Sequence, residues 1–232
     1  MRKMKANKVI VCALCGMILL FTACGSMNNA TKGGLIGAGG GALLGSIIGK
    51  VAGNTAVGAA IGTAVGTGAG VLIGKKMDKA KAAAAAAVQE ATVEEVTDNN
   101  GLSAVKVTFD SGILFKTNKS DLSDAAKNSL VKFAGVLKQY PDIDVAIYGH
   151  TDSTGTDAIN VPLSLARAKS VSGYLESCGI SNTKFKSIEG QGSSQPVATN
   201  ATKEGRAQNR RVEVYMYASA EMIKAAEAGT LN

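Results

Sequence analysis

The 232-residue sequence has no tryptophan, one histidine and three prolines. Its ten aromatics, five Phe and five Tyr, are placed unevenly: none lies between Phe21 and Phe109, and nine lie from Phe109 to Tyr217. Aromatic side chains dominate core burial, so the packed core is expected in the second half. The first half draws its hydrophobicity from Ala, Gly, Ile, Leu and Val, a composition suited to tight helix packing or lipid. With a single histidine, His150, and no His/Cys cluster at ligand spacing, neither a metal centre nor a cofactor is expected.

The opening MRKMKANKVIVCALCGMILLFTAC has the grammar of a targeting segment. Arg2, Lys3, Lys5 and Lys8 form a charged region, and residues 9–21 form an apolar run. That run is shorter than the ~20 residues a membrane span needs, which favours a cleaved signal over residues 1–23. The small residues before Cys24 resemble a bacterial lipobox, where the sulfur is acylated. Cleavage leaves 21 Lys and Arg against 18 acids, a net charge of +3 in place of +7. Nucleic acid is therefore not an expected partner. Cys12 and Cys15 leave with the signal, so Cys178 remains without an internal disulfide partner and is read as a buried free thiol. Each buried acyl CH2 contributes ~0.8 kcal/mol, and two or more chains anchor stably. The residue after the cysteine is Gly25 rather than Asp, and the resemblance to bacterial lipoproteins then implies the outer rather than the inner membrane.

After a short linker (24–32), fifteen of the 42 residues from 33 to 74 are glycine. Gly33, Gly37, Gly41, Gly45, Gly49 and Gly53 recur every fourth residue, and Gly58, Gly62, Gly66, Gly70 and Gly74 do so after a phase slip. Such a repeat lines one helix face with glycine. In water each interior Gly costs ~0.5–1 kcal/mol relative to Ala, whereas in lipid it permits close backbone approach. The expectation is a membrane-associated helical hairpin over 33–75, each arm roughly 27–30 Å long. Residues 76–100 then read as an Ala-rich helical spacer, its lysines near the bilayer headgroups, ended by the turn chemistry of Asp98-Asn99-Asn100-Gly101.

From Ala104 the pattern becomes globular. Residues 104–109 alternate, and a second short strand is expected over 112–115. Residues 122–140 carry Ala126, Leu130, Phe133, Ala134 and Leu137 at helical spacing, with Ser123 as N-cap and Pro141 as stop. A strand follows at 143–148. A second helix is marked by Leu163, Ala166, Val171, Tyr174, Leu175 and Cys178 and closed by Gly179. Further strands are expected at 185–188 and 211–217. Strands alternating with helices imply an α/β (α+β sandwich) domain with helices on one face of a mixed sheet. The tail, 219–232, reads as a short amphipathic helix or a frayed end.

Five motifs recur in order: F-D-S-x-I-L-F, G-H-T-D-x-T-G, N-x-x-L-S-x-x-R-A, G-x-x-x-x-x-P and G-R-A-x-N-R-R-V-E. Together they resemble the OmpA C-terminal (Pal-like) domain, and the match covers about half the chain. The glycine ladder resembles the Gly-zipper segments of some OmpA-type lipoproteins. The resemblance implies an OmpA-like domain over 101–218 that is not an enzyme and holds peptidoglycan non-covalently through meso-diaminopimelate. That ligand ends in an ammonium beside a carboxylate, so its site needs an anion and a cation a few ångströms apart. The resemblance assigns the anion to Asp152 and the cation to Arg167, whose planar donor fork suits a carboxylate. Further ligand contacts map to Thr117, Asn118, Thr154, Asn160 and Arg210.

His150 raises the question of catalysis. Ser153 is near in sequence, but nothing resembles a nucleophile elbow, and a triad also needs an orienting acid and an oxyanion hole. A structural histidine bonded to the turn is the expectation. The resulting picture is an outer-membrane lipoprotein, anchored by acylated Cys24 and the hairpin, with its OmpA-like domain in the periplasm tying the membrane to peptidoglycan. The alternative is a homo-oligomeric membrane scaffold or pore built by the Gly-zipper, with the OmpA-like domain only positioning it on the wall.

Overall fold

The computed structural model describes residues 68–98, 101–116 and 118–231. The signal segment, Cys24, the zipper as far as residue 67 and Thr117 lie outside the described residues.

The described chain begins with helix α1 (Gly68–Ala87). A hairpin follows, β1 (Thr92–Thr97) and β2 (Ser103–Asp110), then a one-turn helix α2 (Ser111–Leu114) and α3 (Asp124–Gln139). Strand β3 (Ile143–Gly149) leads to α4 (Asp157–Ser177) and, after a short 3-10 turn, to β4 (Phe185–Gly190). Helix α5 (Lys203–Asn209), β5 (Arg211–Ala218) and α6 (Ala220–Glu227) complete it. The five strands form one sheet in the order β1-β2-β5-β3-β4. Only the β3–β4 pairing is parallel. The mixed sheet with helices is the α/β architecture that the sequence pattern implies.

Alternation divides the central strands between two layers. Val105, Val107 and Phe109 of β2, Ile143, Val145 and Ile147 of β3, and Val212, Val214 and Met216 of β5 join one apolar core with residues of α1, α3, α4 and α6. Phe109 meets Phe133 edge to face, centroids 5.9 Å apart. The alternate positions Ala104, Ala146, Tyr148, Tyr215 and Tyr217 form a second cluster, in which the Tyr148 and Tyr215 rings lie T-shaped at 5.7 Å. The predicted α3 forms as its pattern requires: Ser123 Oγ accepts from Ala126 N at 3.0 Å, and Leu130, Phe133, Ala134 and Leu137 are buried.

Several expectations are corrected. The spacer over 76–100 is not a free-standing helix. Helix α1 runs without a break across residue 75, and Ala69, Ile73, Met77, Ala80 and Ala84 are buried in the domain core, continued by Val88. Spacings of three and four residues put these side chains on one helix face. The last turns of the expected second zipper arm, residues 68–75, therefore bury Ala69 and Ile73 against protein. Lys76 pairs with Asp142 at 2.6 Å and Lys81 with Glu95 at 3.4 Å, so these two lysines contact the domain's own acids. No helix among the described residues is long and apolar enough to cross a membrane.

Helix α1 ends at Ala87, and residues 92–97 are strand β1, paired antiparallel with β2. Residues 99 and 100 of the expected turn lie outside the described residues; beside them Asp98 Oδ1 accepts from Leu102 N at 2.8 Å and Gly101 has φ 75°, and the flanking segments are two paired strands. Residues 111–114 are helical rather than extended, because Asp110 caps them by accepting from Gly112 N. The tail takes the helical of its two expected forms: Ser219 caps the amphipathic α6, and Met222, Ile223 and Ala226 enter the core beside α1. Cys178 is free but half-buried, at the edge of the core rather than inside it.

Candidate functional site at the ends of β3 and β5

Topology gathers the site. β5 lies antiparallel between β2 and β3, so the start of β5 and the end of β3 meet at one end of the sheet. Asp152 follows β3, and Arg210 immediately precedes β5. Their side chains form an ion pair, Arg210 Nη1 donating to Asp152 Oδ2 at 2.5 Å. The other carboxylate oxygen, Oδ1, accepts from Thr154 N at 2.8 Å, an Asx-type turn ahead of α4. Burial opposes ionisation of Asp152, but the bonds from Arg210 and from the Thr154 amide and hydroxyl outweigh it and hold its pKa below the usual carboxylate value.

Arg167 belongs to the buried stripe of α4, with Asn160, Ser164, Ala168, Val171 and Leu175. Two contacts fix its guanidinium. Nε donates to Lys119 O at 3.1 Å, and the group lies over the Phe115 ring, 5.3 Å from the centroid. Its Nη1 and Nη2 groups have no acceptor among the described residues. Burial, then the charge of Arg210, lower its pKa, while Asp152 raises it. One carboxylate is thus shared electrostatically by two guanidiniums, and Arg167 keeps Nη donors without an acceptor among the described residues.

Glycine sets how closely α4 approaches. A Cβ at Gly149 would fall on the Ser164 carbonyl, and one at Gly190 would lie 2.6 Å from both Ser164 Oγ and Val161 O. Ser164 Oγ in turn accepts from Gly192 N at 3.0 Å. The helix therefore rests directly on the ends of β3 and β4, which places Arg167 one turn further along at the same sheet end.

The structure brings together Asp152, Thr154, Asn160, Arg167 and Arg210. Asn160 is buried and its Nδ2 donates to Asp152 O at 3.4 Å, so it braces the loop backbone. Thr154 and Asn118 are exposed. Asn118 adopts a left-handed φ of 55°, tolerable for Asn, in the loop whose Lys119 carbonyl receives Arg167. Thr117 lies outside the described residues.

Sequence reasoning gave no role to Asn209, Asn200 or Phe115. Asn209 is fully buried; its Oδ1 accepts from Val197 N and Ala198 N, and its Nδ2 donates to Asn200 Oδ1 at 2.9 Å. Asn200 Oδ1 also accepts from Ser153 N at 3.1 Å. This network ties the segment before Arg210 to the loop that carries Asp152. The available signal was the Asn inside N-R-R-V-E, a small amide able to satisfy several backbone groups at once.

His150 is not bonded through its side chain to the turn. It is fully buried on the opposite sheet layer, with Nε2 3.4 Å from Glu213 Oε2, too loose for a well-formed hydrogen bond. Burial holds its pKa below the ordinary value. Glu213 also takes Arg211 Nε at 2.7 Å and Tyr215 Oη at 2.7 Å. Burial resists its charge, yet the adjoining His150, then Arg211 and Tyr215, hold its pKa far below the usual range.

Comparison with known proteins agrees with this architecture. Residues 114–210 match the OmpA family, and residues 4–78 match the YMGG-like Gly-zipper. The chain is 43% identical over 112 residues to the peptidoglycan-binding protein ArfA of Mycobacterium tuberculosis, covering 48% of this chain and 34% of that protein. It is 36% identical over 133 residues to the probable lipoprotein YiaD of Escherichia coli, covering 55% and 60%. The chain thus spans about a third to three fifths of the length of these relatives. Among solved structures, the cell wall anchor of the T6SS from Pseudomonas aeruginosa is similar at 30% identity and a TM-score of 0.51, covering 62% of this chain and 97% of that one. A MotB-like protein from Desulfovibrio vulgaris shares the fold, with a TM-score of 0.55 at 22% identity over 64% and 94%. Residues 114–210 of this chain are an OmpA-family domain, and its N-terminal part carries a YMGG-like Gly-zipper.

Proposed function

We propose that this chain is an outer-membrane lipoprotein that holds the membrane to the cell wall by binding the meso-diaminopimelate of peptidoglycan stem peptides. The observation that carries this reading is the Asp152 carboxylate paired with Arg210 and felt electrostatically by Arg167, whose Nη groups have no acceptor among the described residues. The free end of diaminopimelate is an ammonium beside a carboxylate. Asp152 takes the ammonium, and the guanidiniums take the carboxylate, for which their planar forks are suited. Asn160 and Thr154 hold the Asp152 loop in place, Asn118 lies in the loop whose Lys119 carbonyl receives Arg167, and Thr117 and Asn118 supply further ligand contacts. The relatives support the same direction, since one is named a peptidoglycan-binding protein and another a cell wall anchor. Acylated Cys24 is the membrane end of the tether. Binding is reversible and needs no bond-making chemistry, and many copies on one wall gain avidity through effective concentration.

The test is co-sedimentation with isolated sacculi. Asp152→Ala and Arg167→Lys are expected to leave the pellet while circular dichroism stays that of the wild type. Arg167→Lys keeps the charge but loses the fork, so it separates carboxylate recognition from loss of packing. Undiminished pelleting of both variants would reject the site.

A further inference from the structure

The site holds more positive than negative charge. Asp152 supplies one anion, and Arg167 and Arg210 supply two cations within its electrostatic reach. Both carboxylate oxygens are engaged before any ligand arrives, Oδ2 by Arg210 at 2.5 Å and Oδ1 by Thr154 N at 2.8 Å. An incoming ammonium therefore has to displace Arg210 or share Asp152 with it. If it comes alone, three cations crowd one carboxylate, and their mutual repulsion opposes binding. If it brings a carboxylate, the released Arg210 and the Nη groups of Arg167, which have no acceptor among the described residues, gain a second anion, and charges balance in pairs.

The two arginines are unequally free to make this exchange. Arg167 is pinned by the Lys119 carbonyl and the Phe115 ring, and is 4% exposed. The Arg210 side chain is 38% exposed, against 9% for that of Asp152. Arg210 is the movable partner.

We infer that Arg210 is a specificity-determining residue, whose ion pair with Asp152 shuts the site to a lone ammonium and yields only to an ammonium that carries its own carboxylate. This rests on the peptidoglycan reading and narrows it. Stem peptides with diaminopimelate at the third position present the zwitterion. Those with lysine there present an ammonium without a carboxylate, and are refused by repulsion rather than by poor fit, a form of negative selection.

The test titrates the full-length chain in detergent with two soluble tripeptides, L-Ala-γ-D-Glu-meso-diaminopimelate and the same peptide ending in L-Lys. The wild type is expected to prefer the first by at least about tenfold, and Arg210→Gln to bind the lysine peptide about tenfold more tightly than the wild type does. Arg210→Lys, which keeps the cation, is expected to keep the preference. Tightened lysine binding is a gain that neither misfolding nor the loss of a ligand contact would produce. A Gln variant with the wild-type preference overturns the gating role and leaves the wall-binding reading standing. A Lys variant that behaves like the Gln variant overturns its electrostatic basis. A wild type that binds neither peptide overturns both the gate and the site.

Discussion

Arg210 and Arg211 are neighbours in the chain and serve opposite ends. The Arg210 side chain is part-exposed and holds a single carboxylate, Asp152, through one bond. Arg211 is 4% exposed and spends Nε on Glu213, Nη1 on Asn209 O and Nη2 on Gln195 O. Glu213 is also bonded by the Tyr215 hydroxyl and approached by His150. The first pair is a site that another charge can enter. The second is closed, with its charges matched and its donors occupied. An ion pair becomes available for binding when one partner keeps access to water and spare donors. It becomes a structural element when burial makes every unmatched group costly.

Breaking the closed cluster has the largest expected effect. Glu213→Gln leaves the Arg211 guanidinium buried without its anion, and the expected loss is about 3–5 kcal/mol of folding stability, read by urea denaturation. Sacculus binding per folded molecule should be unchanged, because Asp152 and Arg167 are untouched. A loss below ~1 kcal/mol would reject the structural role assigned to the cluster.

The pH dependence of folding sharpens the contrast next. His150 is held neutral by burial, below its ordinary pKa of 6.5. The unfolded chain takes up that proton more readily, so stability falls as pH drops below about 6.5. Glu213, held far below its ordinary 4.5, contributes stability that is complete above that value and is lost as acid protonates it. Both act in the same direction. Urea midpoints should be flat above pH 7 and decline steadily toward pH 4. A midpoint that rises on acidification would contradict the assignment.

The smallest effect belongs to the open pair. Arg210→Gln is expected to change folding stability by less than about 1 kcal/mol, since the side chain is part-exposed and Asp152 keeps its bond from Thr154. Thermal denaturation checks this, and a loss comparable to that of Glu213→Gln would erase the distinction between the two pairs.

Part of this was legible in the sequence. Ser123 before a clean apolar stripe marks α3, and alternation over 211–217 marks a strand whose two faces enter different layers. Asp152 and Arg167 followed from the resemblance carried by the ordered motifs. Helix α1 was hidden by composition: Ala69, Met77, Ala80 and Ala84 look like zipper on one side of residue 75 and like spacer on the other. A stripe of small side chains carries a weak hydrophobic signal even when wholly buried. Strand β1 was hidden by the adjacent Glu94 and Glu95, which break the alternation and point to opposite faces, yet both stay exposed because β1 is an edge strand. His150 gave no sign of Glu213, because that meeting depends on which strands are neighbours.

The sequence by itself determined what is local: where α3 and β5 run, the left-handed closing glycine at 179 and the residue types of the site. Tertiary structure decided which charges meet. Asp152 and Arg210 are separated by 58 residues. They pair because β5 inserts antiparallel between β2 and β3, bringing the residue before one strand to the loop after another. Hydrogen-bond pairing between distant strands sets that adjacency, and no local pattern encodes it.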